Sequence, residues 1–250
     1  METFSLETEN LQKIKQIFIE YPNLMTLDFE NRMRQSIRVL HYQYLYSACK
    51  ETRAILPKYN DNNLFGLIMN IYNKKQRLHQ AKFLLLHCFE NALRSTLAVE
   101  IANLYNEHED NWFLREVGVG RSEGEKKLLE KIARIKRKQN VFKNTFEVFD
   151  IFTLGDLQDI LKTHWETIAY IFAQPKHYKN QLLPAYGKEH LMVKMSRIRN
   201  VRNETFHNKP TKLKFQKDLE ILLLRLGYNL YDAIHIGDIH NAIHLKYQYD

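Results

Sequence analysis

With 44% hydrophobic and 26% charged residues in a chain of 250, and only 8 Gly and 5 Pro, the composition is that of a helix-rich globular protein and excludes a largely disordered or fibrous one. The net charge of +8 is concentrated. Residues 121–144 carry nine Lys/Arg against three Asp/Glu, and residues 187–217 nine against two, which leaves the rest of the chain at −5. Charge gathered in this way suits a surface that tracks phosphates, although a solvated basic helix face gives the same pattern. The longest apolar runs, Phe83 to Phe89 and Ile221 to Leu226, fall far short of the roughly twenty residues of a membrane span, so no membrane partner is expected. The acidic opening, Met1 to Asn10, is unlike a signal peptide. Two cysteines, Cys49 and Cys88, do not make a disulfide framework, and a reducing cytoplasm is expected.

Leu11, Ile14, Ile17 and Phe18 recur at helical spacing and predict a first helix closed by Pro22. Met33, Ile37, Leu40, Tyr44 and Leu45 predict a second, ending before Pro57. Asn60 to Asn63 reads as a loop, and Leu64 to Tyr105 as a long helical stretch with at most one break. Gly118, Gly120 and Gly124 read as a connector, because they follow no strand and lack the ending of a phosphate loop. Leu128, Leu129, Ile132 and Ile135 then predict an amphipathic basic helix. Further helices are expected from Thr153 or Leu154 to Phe172, from Gly187 to His207 before Pro210, and from Lys212 to about Ile234. Strand alternation never persists, so the expected fold class is all-α, a bundle of antiparallel helices.

The sharpest local feature is Arg202-Asn203-Glu204-Thr205-Phe206-His207. Asn203 and His207 share one helix face with Arg199 a turn earlier, whereas Arg202 lies about 140° around from His207. Arg202 and His207 therefore converge on one phosphate only where the helix ends or bends near His207. The residue types suit metal-free RNA cleavage. RNA supplies its own nucleophile, the 2′-hydroxyl; a histidine takes its proton, and a guanidinium stabilises charge on the phosphoryl oxygens. Asn203 would orient the imidazole or hydrogen-bond the phosphate. In the bland alternative, Arg202 pairs with an acid and His207 sits at a helix C-terminus, where a cation is favoured.

The hexapeptide matches the Arg, polar, three variable residues, His pattern of HEPN ribonucleases. Asn111-Trp-Phe-Leu114 resembles the Trp-Tyr/Phe element of Abi-like (abortive infection) proteins, and Phe149 to Leu157 resembles their Thr-Phe-Gly-x-Leu segment, with Leu154 in place of the usual Phe. Glu90-Asn-Ala-Leu-Arg94 is similar to that family's Glu-x-x-x-Arg helix, or is an ordinary i,i+4 surface ion pair. These elements occur in the family's order and cover about residues 80–230.

The resemblance implies a HEPN-type bundle over residues 79–250 behind an N-terminal helical extension over 1–78. It implies a metal-independent endoribonuclease without cofactor, with Arg202, Asn203 and His207 catalytic and Glu90 and Arg94 supporting. Arg199, Lys136, Arg137 and Lys138 would bind RNA. Expected partners are substrate RNA, a second copy of the chain in a homodimer, and an inhibitory structured RNA or protein antitoxin. Asn208 stands where many Abi-like members have a second His, and Lys209 where adenylylated HEPN toxins have Tyr. The alternative from another class is a non-catalytic RNA-binding helical protein. His235, Asp238, His240 and His244 superficially suit zinc but read as a polar tail.

Overall fold

The computed structural model describes residues 5–59, 63–136, 142–211 and 213–228, with the side chains of 135 and 136 left aside. It is mostly helical. The helices are α1 (Leu6–Ile17), α2 (Leu27–Val39), α3 (Tyr42–Ile55), α4 (Leu64–Tyr105), α5 (Glu123–Lys136), α6 (Thr145–Asp150), α7 (Leu154–Thr163), α8 (Trp165–Ala173), α9 (Lys188–Phe206) and α10 (Gln216–Arg225). One two-stranded antiparallel hairpin, β1 (Lys176–Tyr178) and β2 (Gln181–Leu183), pairs Lys176 with Leu183. Among the described residues no helix is long and apolar enough to cross a membrane.

The chain divides into two compact units, each discontinuous in sequence. The first comprises 1–82 with 204–212, and the second 83–203 with 213–250, so the division falls inside both α4 and α9. In the first unit, Leu11, Ile14, Phe18, Phe29, Met33, Leu45, Ala48 and Ile68 form a buried apolar cluster. Cys49 lies in the same core, and burial pushes its thiol up to about 12, so it behaves as a small hydrophobe. In the second unit Trp112 is fully buried, and its indole N–H donates to Thr145 Oγ1 at 2.8 Å. Trp165 is buried as well. Both tryptophans serve the core.

Several helix boundaries differ from the sequence expectation, and three of the differences have a clear local reason. The expected second helix is two, because Leu40 is extended (ψ 158°) and the His41 N–H donates to Tyr72 Oη at 3.3 Å. The helix expected to end at Phe172 is also two. At their junction His164 (ψ 27°) caps both, and its Nδ1–H donates to the Ile160 carbonyl at 3.0 Å, which bends the chain there. The last helix stops at Arg225, short of the expected Ile234. Gly227 takes φ 84°, and the amides of Gly227 and Tyr228 bond back to the carbonyls of Leu224 and Leu223, a Schellman ending. Residues beyond 228, with the His235 to His244 group, lie outside the described residues. By contrast α4 runs unbroken for 42 residues.

The hairpin, unforeseen in the sequence, is fastened by Arg225. Arg225 is 1% exposed, and its guanidinium donates to the carbonyls of Pro184 at 2.6 Å, Ile171 at 3.0 Å, and Gln174 and Leu183 at 3.1 Å. Four carbonyl dipoles thus take the place of a counter-ion.

Candidate active site

Glu90 on α4 is buried, at 7% exposure, and holds two arginines. Its Oε1 accepts from Arg94 Nη2 at 3.1 Å, one turn on along the helix, and its Oε2 accepts from Arg202 Nε on α9 at 3.0 Å. The Glu90–Arg94 pair is therefore no surface ion pair. Arg94 also donates to the carbonyls of Phe149 and Phe152, the latter at 2.7 Å, and so completes the hydrogen bonding at the end of α6. One carboxylate between two guanidiniums leaves the group one net positive charge, and that charge favours an anion nearby.

The segment Phe149 to Leu157 meets the same network from the other side. Thr153 and Asp156 form a capping box at the start of α7: the Thr153 hydroxyl accepts from the Asp156 amide, and the Asp156 carboxylate accepts from the Thr153 amide. Burial would push Asp156 up, but an ion pair with Lys131 and the Thr153 hydrogen bonds outweigh it and hold the carboxyl below its ordinary value. Gly155 packs beside Arg199, whose Nη1 would stand 3.5 Å from an added Cβ. Arg202 Nη1 reaches Asn203 Oδ1 at 3.5 Å, and Asn203 is exposed. Within the second unit, then, Glu90, Arg94, Arg202 and Asn203 come together, with Arg199 against α7.

His207 belongs to the first unit and is exposed. It is the C-cap of α9. Asn208 follows in the left-handed region at φ 55°, and the amides of Asn208 and Lys209 return to the carbonyls of Thr205 at 2.9 Å and Glu204 at 2.7 Å. The helix therefore ends one residue before His207. Asn208 is the residue that makes the turn, since Asn tolerates left-handed backbone better than most.

His79, also in the first unit, braces that turn and was missed in the sequence. Burial holds its imidazole below the ordinary value, against the opposite pull of a hydrogen bond with the Thr205 backbone, and Tyr44 Oη lies 2.7 Å from its Nδ1. No spacing in the sequence links His79 to Thr205, so nothing there could have found it. Glu204 Oε2 and Thr205 Oγ1 are buried without a hydrogen-bond partner among the described residues. Of the basic residues expected to bind RNA, Lys136 is the last residue of α5, and Arg137 and Lys138 lie outside the described residues. No group of three or more His, Cys, Asp or Glu is placed to hold a metal ion among the described residues.

Set against family models, curated proteins and solved structures, the chain matches none.

Proposed function

We propose that this chain is a metal-independent endoribonuclease of the HEPN type, similar to Abi-like proteins. The observation that carries the reading is the Glu90 network. Residues from three separate sequence elements of the resemblance, Glu90 and Arg94, Phe149 to Phe152, and Arg202, are tied to one another by hydrogen bonds and ion pairs. Glu90 fixes the Nε side of Arg202, so the terminal nitrogens of its fork would address a phosphate with little orientation left to lose.

In the proposed reaction His207 takes the proton of a ribose 2′-hydroxyl. The 2′-oxygen bonds to the adjacent phosphorus, the bond to the 5′-oxygen breaks, and that oxygen takes a proton from a protonated His207 of the dimer, giving a 2′,3′-cyclic phosphate and a 5′-hydroxyl. Arg202 stabilises the phosphoryl oxygens, and Asn203 orients the imidazole or the phosphate. The working protein is a cytoplasmic homodimer in which two copies of Arg202 and His207 face one another. Its role is phage defence or growth arrest, under restraint by a structured RNA or a protein antitoxin.

A second reading, a non-catalytic RNA-binding protein, draws on the same contacts. Arg202 is paired with an acid and His207 caps a helix, which are the roles structural residues would fill. Incubating the purified protein with total RNA in EDTA separates the two. New ends that vanish in Arg202→Ala and His207→Ala support the enzyme; binding without cutting supports the second reading.

A further inference from the structure

Away from the Glu90 network, the second unit holds an open groove of about 590 Å3 between α5 and α7. Lys127, Lys131 and Arg134 of α5, Lys162 of α7 and Lys188 at the start of α9 line it. Glu130 and Asp159 are its acids. The buried His164 also lines it, with Nδ1 toward the Ile160 carbonyl and Nε2 accepting from Tyr105 Oη at 2.8 Å.

The two basic stretches of the sequence meet in this groove. Lys127, Lys131 and Arg134 come from 121–144 and Lys188 from 187–217, while Lys162 belongs to neither. Three of the cations have partners. Lys131 pairs with Asp156, while Lys127 with Glu123 at 3.6 Å and Arg134 with Glu130 at 3.8 Å are long, exposed i,i+4 pairs that contribute little and exchange readily. Among the described residues neither Lys162 nor Lys188 has an ion-pair partner.

The shape of the charge identifies the ligand. Lys127, Lys131 and Arg134 stand in a row along one face of α5, about 6 Å and then about 4.5 Å apart in helix rise. A compact anion is held by cations converging on one point. A row matches a linear polyanion with repeating charges, and an open groove suits a single strand lying along it. We infer that this groove binds the phosphate backbone of single-stranded RNA, and so holds the substrate of the proposed ribonuclease.

The inference rests on the RNA reading but separates from catalysis by choice of probe. A fluorescent 2′-O-methyl oligouridylate of about twelve nucleotides cannot be cut by 2′-hydroxyl attack, so its anisotropy reports binding alone. Lys162→Glu/Lys188→Glu should bind it at least about tenfold more weakly. Its log affinity should also fall less steeply with log salt, by about 1.4, since each lost single-strand phosphate contact removes about 0.7. Lys58→Glu/Lys74→Glu, with the same change in net charge at exposed sites of the first unit, should bind as the wild type does. Lys162→Gln/Lys188→Gln, checked by circular dichroism, covers the case in which the glutamates disturb folding.

Absence of wild-type binding, equal affinity in the groove variants, or equal loss in the control would overturn the groove. If the wild type binds the methylated strand but leaves the 2′-hydroxyl strand intact, the ribonuclease reading fails and the groove stands. If the groove variants bind and cut like the wild type, the groove fails and the ribonuclease stands.

Discussion

Glu90 is the residue on which the candidate site turns, because a single buried carboxylate holds both Arg94 and Arg202. Its replacement leaves two guanidiniums half-buried without their counter-ion, whereas loss of Arg202 alone leaves Glu90 still paired with Arg94. Glu90→Gln should therefore destabilise the protein by about 3 kcal/mol or more, and Arg202→Ala by clearly less. Urea titration of both variants checks the order, and equal costs would remove Glu90 from the centre of the network. Two glycines give a second contrast. A Cβ at Gly124 would lie 2.8 Å from His164 Nε2 and 3.2 Å from Tyr105 Oη, both fixed by their own hydrogen bonds. At Gly155, in the family-like segment, it would meet only ordinary contacts. Gly124→Ala should cost about 1–3 kcal/mol and Gly155→Ala about nothing.

His164 also ties stability to pH. Burial holds its imidazole below the ordinary value of about 6.5, with the Ile160 carbonyl pulling the other way. As pH falls through about 6.5 the unfolded chain takes up this proton and the folded one does not. The stabilisation is thus complete above that pH and is lost on acidification toward the lower folded value. His79 works in the same direction. Urea midpoints measured from about pH 8 to pH 5 should fall, and His164→Gln should flatten the slope; an unchanged slope would show that His164 titrates alike in both states.

At the scale of elements, most helices were legible, and α4 and α9 end within a residue of where the sequence places them, but the breaks at Leu40 and His164, the early end at Arg225 and the short α6 were not. The apolar period of Leu11, Ile14 and Phe18 and of Leu128, Leu129 and Ile132 marked α1 and α5 because a buried stripe on a helix has that spacing and nothing else does. The same period carries through Leu40 and His164, where no Pro or Gly interrupts it. There the breaks are made by distant or side-chain hydrogen bonds that spacing does not encode. The hairpin strands, three residues each, are too short to alternate, and the hydrogen bonds of Arg225 hold them from a helix far along the chain. Within the candidate site, Glu90, Arg94 and Arg202 were nameable by resemblance, but their joining by one carboxylate needed the fold. The ending of α9 at Asn208 offers a test at this scale. Asn208→Gly should be neutral or stabilising, and Asn208→Val should cost about 1–2 kcal/mol, because a β-branched residue opposes φ near 55°. Similar stability of the two variants would mean that the turn does not persist in solution.

For the whole molecule, each chain carries one Arg202 and one His207, so the proposed enzyme would act as a dimer. Specific activity should then fall on dilution as the dimer dissociates, alongside the mass measured by light scattering; a monomer that cuts at full rate would refute the shared site. The proposed cleavage of RNA by Arg202 and His207 is tested most directly by mapping the ends produced when purified protein acts on total RNA in EDTA. The wild type should give 2′,3′-cyclic phosphate and 5′-hydroxyl ends, and folded Arg202→Ala or His207→Ala should give none. Cleavage by either folded variant, or a strict need for Mg²⁺, would contradict it.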